Sequence, residues 1–112
     1  MYTIPVLATD TTLGFATVSA NSGHNGISGE PFYQRTGVLE DLAWHSVHTG
    51  AGIGNELVSL FHDKTHTKSY YMGCLTGGRQ GFKSALEFLY DFDGIVTSAP
   101  AFDLDVLLGW GG

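Results

Sequence analysis

The densest chemical signal in the sequence is Tyr70-Tyr71-Met72-Gly73-Cys74-Leu75-Thr76-Gly77-Gly78-Arg79-Gln80-Gly81. A β-prone run enters a glycine-rich turn, and a helix is predicted to follow. Two chemistries use that arrangement. One is the nucleophile elbow, Gly-x-Ser-x-Gly, in which glycines let a strained turn pack closely and the central side chain is lifted above the sheet. The amides of the following helix then help to hold an oxyanion. Gly73 and Gly77 take the outer places here, and Leu75 stands where the nucleophile belongs. The other is the phosphate loop, Gly-x4-Gly-Lys-Ser/Thr. Gly73 and Gly78 have its spacing, but Arg79 replaces the lysine and Gln80 the magnesium-binding hydroxyl. A tight strand-to-helix turn without chemistry is the commonest meaning of such a pattern taken alone.

The elements that must carry this turn can be sketched from periodicity. Met1 to Leu13 holds Thr9, Thr11 and Thr12 and is expected to be an irregular lead-in with at most a short strand. Gly14 to Ala20 alternates large and small residues, as a strand does. Asn21 to Gly37 is punctuated by Gly23, Gly26, Gly29 and Pro31 and is expected to be a long loop. From Val38 to Phe61 the apolar residues Leu39, Leu42, Ala43, Val47, Ile53, Leu57, Leu60 and Phe61 follow a 3.6-residue repeat. Gly50, Gly52 and Gly54 interrupt that helix at about 1 kcal/mol each relative to Ala, which points to a neighbour lying close against it. Ser69–Gly73 is expected as a second strand, Gly77–Tyr90 as a second helix and Gly94–Ser98 as a third strand. Strands alternating with helices imply an α/β fold: a parallel sheet of about three strands with helices on its faces.

Composition limits what such a fold can serve. The chain has 112 residues, 43% apolar and 14% charged, which suits a single compact domain over residues 1–112. Five basic residues against eleven acidic ones leave a net charge of −6. That balance argues against nucleic-acid or anionic-membrane partners, which need clustered Lys and Arg. Met1 to Asp10 has neither a basic region nor an apolar run, so no signal peptide is expected. One cysteine, Cys74, excludes an internal disulfide and a multi-cysteine zinc site.

With the elements in place, Tyr70 to Gly81 resembles the Tyr-Tyr-x-Gly-Cys-Ser-Thr-Gly-Gly-Arg-Gln-Gly signature of the tannase and feruloyl esterase family. Gly14-Phe-Ala-Thr-Val-Ser-Ala and Ser22-Gly23-His24-Asn25-Gly26 are similar to that family's upstream strand and Gly-His loop. Leu39 to His48 is similar to its helix with an aromatic before a Leu-His-type pair. Asp91-Phe92-Asp93-Gly94-Ile95-Val96 and Ala99-Pro100-Ala101 resemble its Asp-Phe-Asp-Gly-Ile-Val and Ala-Pro-Ala blocks. The resemblance implies a secreted serine esterase acting on phenolic acid esters such as gallates and ferulates. It also implies an α/β-hydrolase core, a Ser-Asp-His triad and a calcium-binding lid.

Carried over position by position, Leu75 matches the nucleophilic serine and Thr76 the residue whose backbone N–H serves the oxyanion. Gly73, Cys74, Gly77 and Gly78 complete the elbow. Cys74 also matches a cysteine that the family pairs with one beside the triad histidine. No residue here matches that partner cysteine, the triad Asp and His or the lid. A partial α/β-hydrolase domain without cofactor, and with no partner beyond a small phenolic ester, is therefore expected. Leucine has no nucleophilic atom, and Thr76 and Cys74, being its neighbours on an elbow, point elsewhere. An inactive ester hydrolase and a non-catalytic α/β binding module both stay open.

The remaining polar residues have quieter expected roles. His45 and His48, or His62 and His66, could ligate a metal, but no carboxylate motif accompanies either pair. His24 is expected to fix its loop by hydrogen bonding. Asp91 and Asp93 are expected to cap and turn the chain rather than to act as acid and base. Neither Asp103 nor Asp105 matches the triad aspartate.

Overall fold

The computed structural model describes residues 3–25, 30–103 and 106. Met1, Gly26, Gly29 and Asp105, which entered the sequence expectations, lie outside the described residues. The chain divides into two units, residues 1–67 and 68–112.

The first unit is helical. Its opening segment is an α-helix, α1 (Thr3–Thr12), and not the irregular lead-in or short strand expected from its threonines. β-Branched residues weaken helices mainly by stiffening χ1 and competing for backbone groups. Here the hydroxyls bond to the helix itself: Thr11 Oγ1 donates to the Leu7 carbonyl at 2.7 Å and Thr12 Oγ1 to that of Thr9 at 2.6 Å. The helix stops at Gly14, whose φ of +92° only glycine adopts without strain. Gly14 N–H donates to the Thr11 carbonyl and Phe15 N–H to that of Asp10, the paired bonds of a Schellman stop.

Gly14 is thus a helix terminator, and the strand expected over Gly14–Ala20 does not form. A strand needs a partner to take its ladder bonds, and no described strand pairs with these residues. Val18 instead packs on a helix.

That helix is one continuous winding in three parts: α2 (Thr36–Glu40), a π-helical stretch (Asp41–His45) and α3 (Ser46–His62). It agrees with the predicted Val38–Phe61 and ends where Asp63 turns left-handed, at φ +52°. Of the three glycines at 50, 52 and 54 only Gly54 has a close neighbour, since a Cβ there would lie 2.8 Å from Val18 Cγ2. Gly50 and Gly52 face open space. Much of the apolar repeat remains exposed, including Ile53, Leu57, Leu60 and Phe61.

The second unit is a strand–helix–strand unit: β1 (Tyr70–Cys74), α4 (Thr76–Glu87) and β2 (Gly94–Ser98). The strands pair in parallel, Tyr70 opposite Gly94 through Cys74 opposite Ser98. The described sheet therefore has two strands rather than three. α4 packs on both strands and ends at Glu87, three residues short of the expected Tyr90; Phe88 N–H caps it by donating to the Ser84 carbonyl. Asp93 closes the open end of the strand pair. Its carboxylate accepts from Ser69 N–H at 2.7 Å and Lys68 Nζ at 3.0 Å, and its own N–H donates to the Ser69 carbonyl. This is the turn-and-cap duty expected of it, and its carboxylate holds the Lys68 ammonium above the usual lysine range.

Ser84, on α4, is the most completely buried side chain among the described residues at 0% exposure, and its hydroxyl has no hydrogen-bond partner. A buried hydroxyl without a partner costs about 1–3 kcal/mol. Ser84→Ala removes it while keeping the small volume. The urea midpoint is expected to rise by the equivalent of about 1 kcal/mol, whereas Ser84→Leu should unfold the unit.

Candidate active site: a one-residue turn between strand and helix

A single residue, Leu75, separates β1 from α4. Its backbone lies at φ +54° and ψ −114°, the mirror image of an ordinary extended conformation and one that a bulky residue holds at a cost of about 1–3 kcal/mol. Three backbone bonds lock it there. Leu75 N–H donates to the Ser98 carbonyl at 3.1 Å, while its own carbonyl accepts from Arg79 N–H and Ala101 N–H, both at 3.1 Å. The segment after β2 thus straps the turn, and it too is strained: Ala99 has φ +42°. Ala101 is buried at 7% exposure, and the Leu75 side chain is 61% exposed, lifted off the turn.

This geometry decides between the two glycine-rich chemistries. A phosphate loop wraps its ligand with several amides between strand and helix. Here one residue makes the connection, and Gly78 already lies inside α4, where a Cβ would meet the Ser98 carbonyl oxygen at 2.9 Å and Pro100 Cα at 3.0 Å. The turn has the one-residue form of an elbow and not the wrapped form of a phosphate loop.

The glycines are there for Tyr71. Its ring lies across the base of the elbow, 5.4 Å from that of Phe92, and its hydroxyl donates to the Gly77 carbonyl at 2.8 Å. A Cβ on Gly73 would strike the Gly77 carbonyl group and come within 2.8 Å of Tyr71 Cε1. One on Gly81 would come within 2.8 Å of the same atom and 2.7 Å of Thr97 Cγ2, and one on Gly77 within 3.4 Å of the Tyr71 hydroxyl. Sequence reasoning missed Tyr71. The available signal was three glycines spaced by four, at 73, 77 and 81, with an aromatic just upstream.

Thr76 opens α4, so its N–H is one of the first-turn amides that have no partner within the helix. Cys74 is exposed and its thiol is free. The histidines belong to the other unit. His24 Nδ1 lies 3.2 Å from the Ser22 carbonyl and its ring meets Phe32 edge-on, a loop-fixing arrangement. Asp41 Oδ1 sits 2.7 Å from His45 Nδ1, and the Trp44 ring contacts both His45 and His48. Among the described residues no three His, Cys, Asp or Glu side chains gather where a metal could be held.

A parallel strand pair joined through a one-residue elbow and a helix is an element of the α/β class in which hydrolases place their nucleophile. Residues 2–109 match the tannase and feruloyl esterase family, and the chain belongs to it. It is 62% identical over 98 residues to a probable feruloyl esterase B of Aspergillus clavatus, covering 88% of this chain and 19% of that protein. It is 54% identical over 106 residues to feruloyl esterase C of Talaromyces stipitatus, covering 95% and 20%. The crystal structure of feruloyl esterase B from Aspergillus oryzae superposes with a TM-score of 0.87 at 50% identity, over 94% of this chain and 21% of that one. The chain spans about a fifth of the length of the relatives it matches.

Two measurements check the elbow. Glycine adopts the residue-75 conformation freely, so Leu75→Gly is expected to raise stability by about 1 kcal/mol after its larger unfolded-state entropy, while the β-branched Leu75→Val lowers it. The second is alkaline titration. Burial pushes the Tyr71 phenol up to about 12. An unfolded phenol ionises near 10, so the stability gained from keeping Tyr71 protonated is complete below about pH 10. It falls as pH rises through 12, because there the unfolded chain binds fewer protons. An absorbance step near pH 12 that disappears in Tyr71→Phe is the expected result.

Proposed function

We propose that this chain carries the elbow of a carboxylic ester hydrolase for phenolic acid esters, with residue 75 at the nucleophile position and no nucleophile on it. The observation that supports this most directly is the backbone of Leu75. A leucine kept at φ +54° and ψ −114° between a strand and a helix, and left 61% exposed, holds a strained conformation without being part of a core. An elbow uses that conformation to present a side chain above the C-terminal ends of parallel strands. In this role Gly73, Gly77 and Gly78 permit the close packing, Thr76 N–H is the oxyanion donor and Cys74 is a neighbour without a chemical part. The substrate class follows from the names of the relatives, which are feruloyl esterases.

A second role is favoured by the same leucine. An exposed apolar side chain at the centre of the elbow suits contact with a phenolic ring, and a non-catalytic module would bind such an ester without cleaving it.

The purified chain is expected to hydrolyse neither methyl ferulate nor methyl gallate above the blank, and a fluorophosphonate should label nothing. Leu75→Ser is expected to give at most a slow single acylation by an activated ester, because no residue of this chain matches the family's base or its orienting acid. Triad members act as a unit, and a serine without its histidine is about as poor as no serine. Labelling at Thr76, or multiple turnovers by Leu75→Ser, would overturn the assignment. Saturable binding of methyl ferulate without turnover would select the binding module.

A further inference from the structure

Tyr71 is more than a filler of the space between β1 and α4. A filler needs no hydroxyl, and a phenylalanine would avoid burying one. The Tyr71 hydroxyl is instead directed at a specific acceptor, the Gly77 carbonyl at 2.8 Å, in the first turn of α4. That carbonyl also faces the helical N–H four residues on, so the phenol is a second donor from outside the helix. Gly73, Gly77 and Gly81 leave room for the ring, and Phe92 closes it in. The same first turn begins at Thr76, next to Leu75.

We propose that Tyr71 is a positioning residue of the elbow: its hydroxyl, donated to the Gly77 carbonyl, fixes the first turn of α4 beneath residue 75 and thereby aims the turn's amides at whatever charge develops on that residue's side chain. This role rests on residue 75 being the nucleophile position, and the test separates the two.

A thiol placed at residue 75 reports on those amides. In the full chain carrying Cys74→Ala and Leu75→Cys, the introduced cysteine is the single thiol. Helix N-terminal amides lower a cysteine below its free value of about 8.5. The pH dependence of its alkylation by iodoacetamide is measured beside the thermal midpoint. With Tyr71 intact, the thiol is expected to titrate about one unit or more below the free value. Tyr71→Phe should then raise it by about half a unit, a roughly threefold change in thiolate fraction near neutral pH.

An unshifted thiol in a Tyr71→Phe chain that merely melts earlier would overturn the positioning role and leave the elbow standing. A thiol at its ordinary value even with Tyr71 present would overturn the elbow itself. Should Tyr71→Phe lose its helical circular dichroism, 4-aminophenylalanine at position 71 takes its place. It keeps a weaker donor on the same ring, and must shift the thiol in the same direction by less. No shift there overturns the proposal as well.

Discussion

Leu75 carries the chain from strand to helix in one residue, and the rest of the second unit follows from that inversion. To turn so sharply, β1 and α4 must approach more closely than ordinary side chains allow, which is why Gly73 cannot carry a Cβ without striking the Gly77 carbonyl. The turn's own polar groups are then paired across to the second strand: the amide with Ser98, the carbonyl with Ala101 as well as with α4. The strap from Ser98 to Ala101 is therefore part of the elbow, although it lies more than twenty residues away in sequence. Asp93 pins the opposite end of the same strand pair, so the register that brings Cys74 level with Ser98 is held at both ends.

Close approach has a cost in helix stability. Gly77, Gly78 and Gly81 sit in α4, where each is worth about 1 kcal/mol less than Ala. What offsets it is the packing those glycines permit: Tyr71 and Thr97 against Gly81, and the Ser98–Pro100 backbone against Gly78. Among the described residues, the most buried positions of this unit are Gly78, Gln80, Gly81, Ser84 and Ala101, with the Tyr71 ring half-buried beside them. Among the described residues Ala101 is the buried apolar side chain, and large apolar residues such as Leu86, Leu89 and Tyr90 are exposed.

Much of this unit was legible because its signals are local. Gly94–Ser98 forms over its expected range, and β1 and α4 lie within a few residues of theirs. The glycine spacing alone also puts residue 75 at the apex, where it lies between β1 and α4. What escaped needs knowledge of partners. Gly14–Ala20 has a strand's alternation, but alternation cannot supply the neighbouring strand that would take its bonds. The threonines of α1 read as β-prone, yet their hydroxyls satisfy helix carbonyls, and Gly14 reads equally as a strand start or a helix stop until its φ is known. Tyr71 looked like one of two β-prone tyrosines. Its importance lies in contacts with residues 73, 77, 81 and 92, three of which are glycines with no side chain to announce it.

The hydrogen bonds that hold residue 75 are made by its backbone, and the residue is largely exposed. Those bonds come from Ser98, Arg79 and Ala101, and the close contacts at the surrounding glycines are made by Tyr71, Thr97, the Gly77 carbonyl and the Ser98–Pro100 segment. A serine and a leucine at that position pay nearly the same conformational penalty, since both carry a Cβ into a region that suits only glycine. The apparatus that strains the turn is thus independent of the group it presents. A turn held in this way keeps its shape whichever side chain residue 75 carries, so the backbone geometry and the group at its apex can change separately.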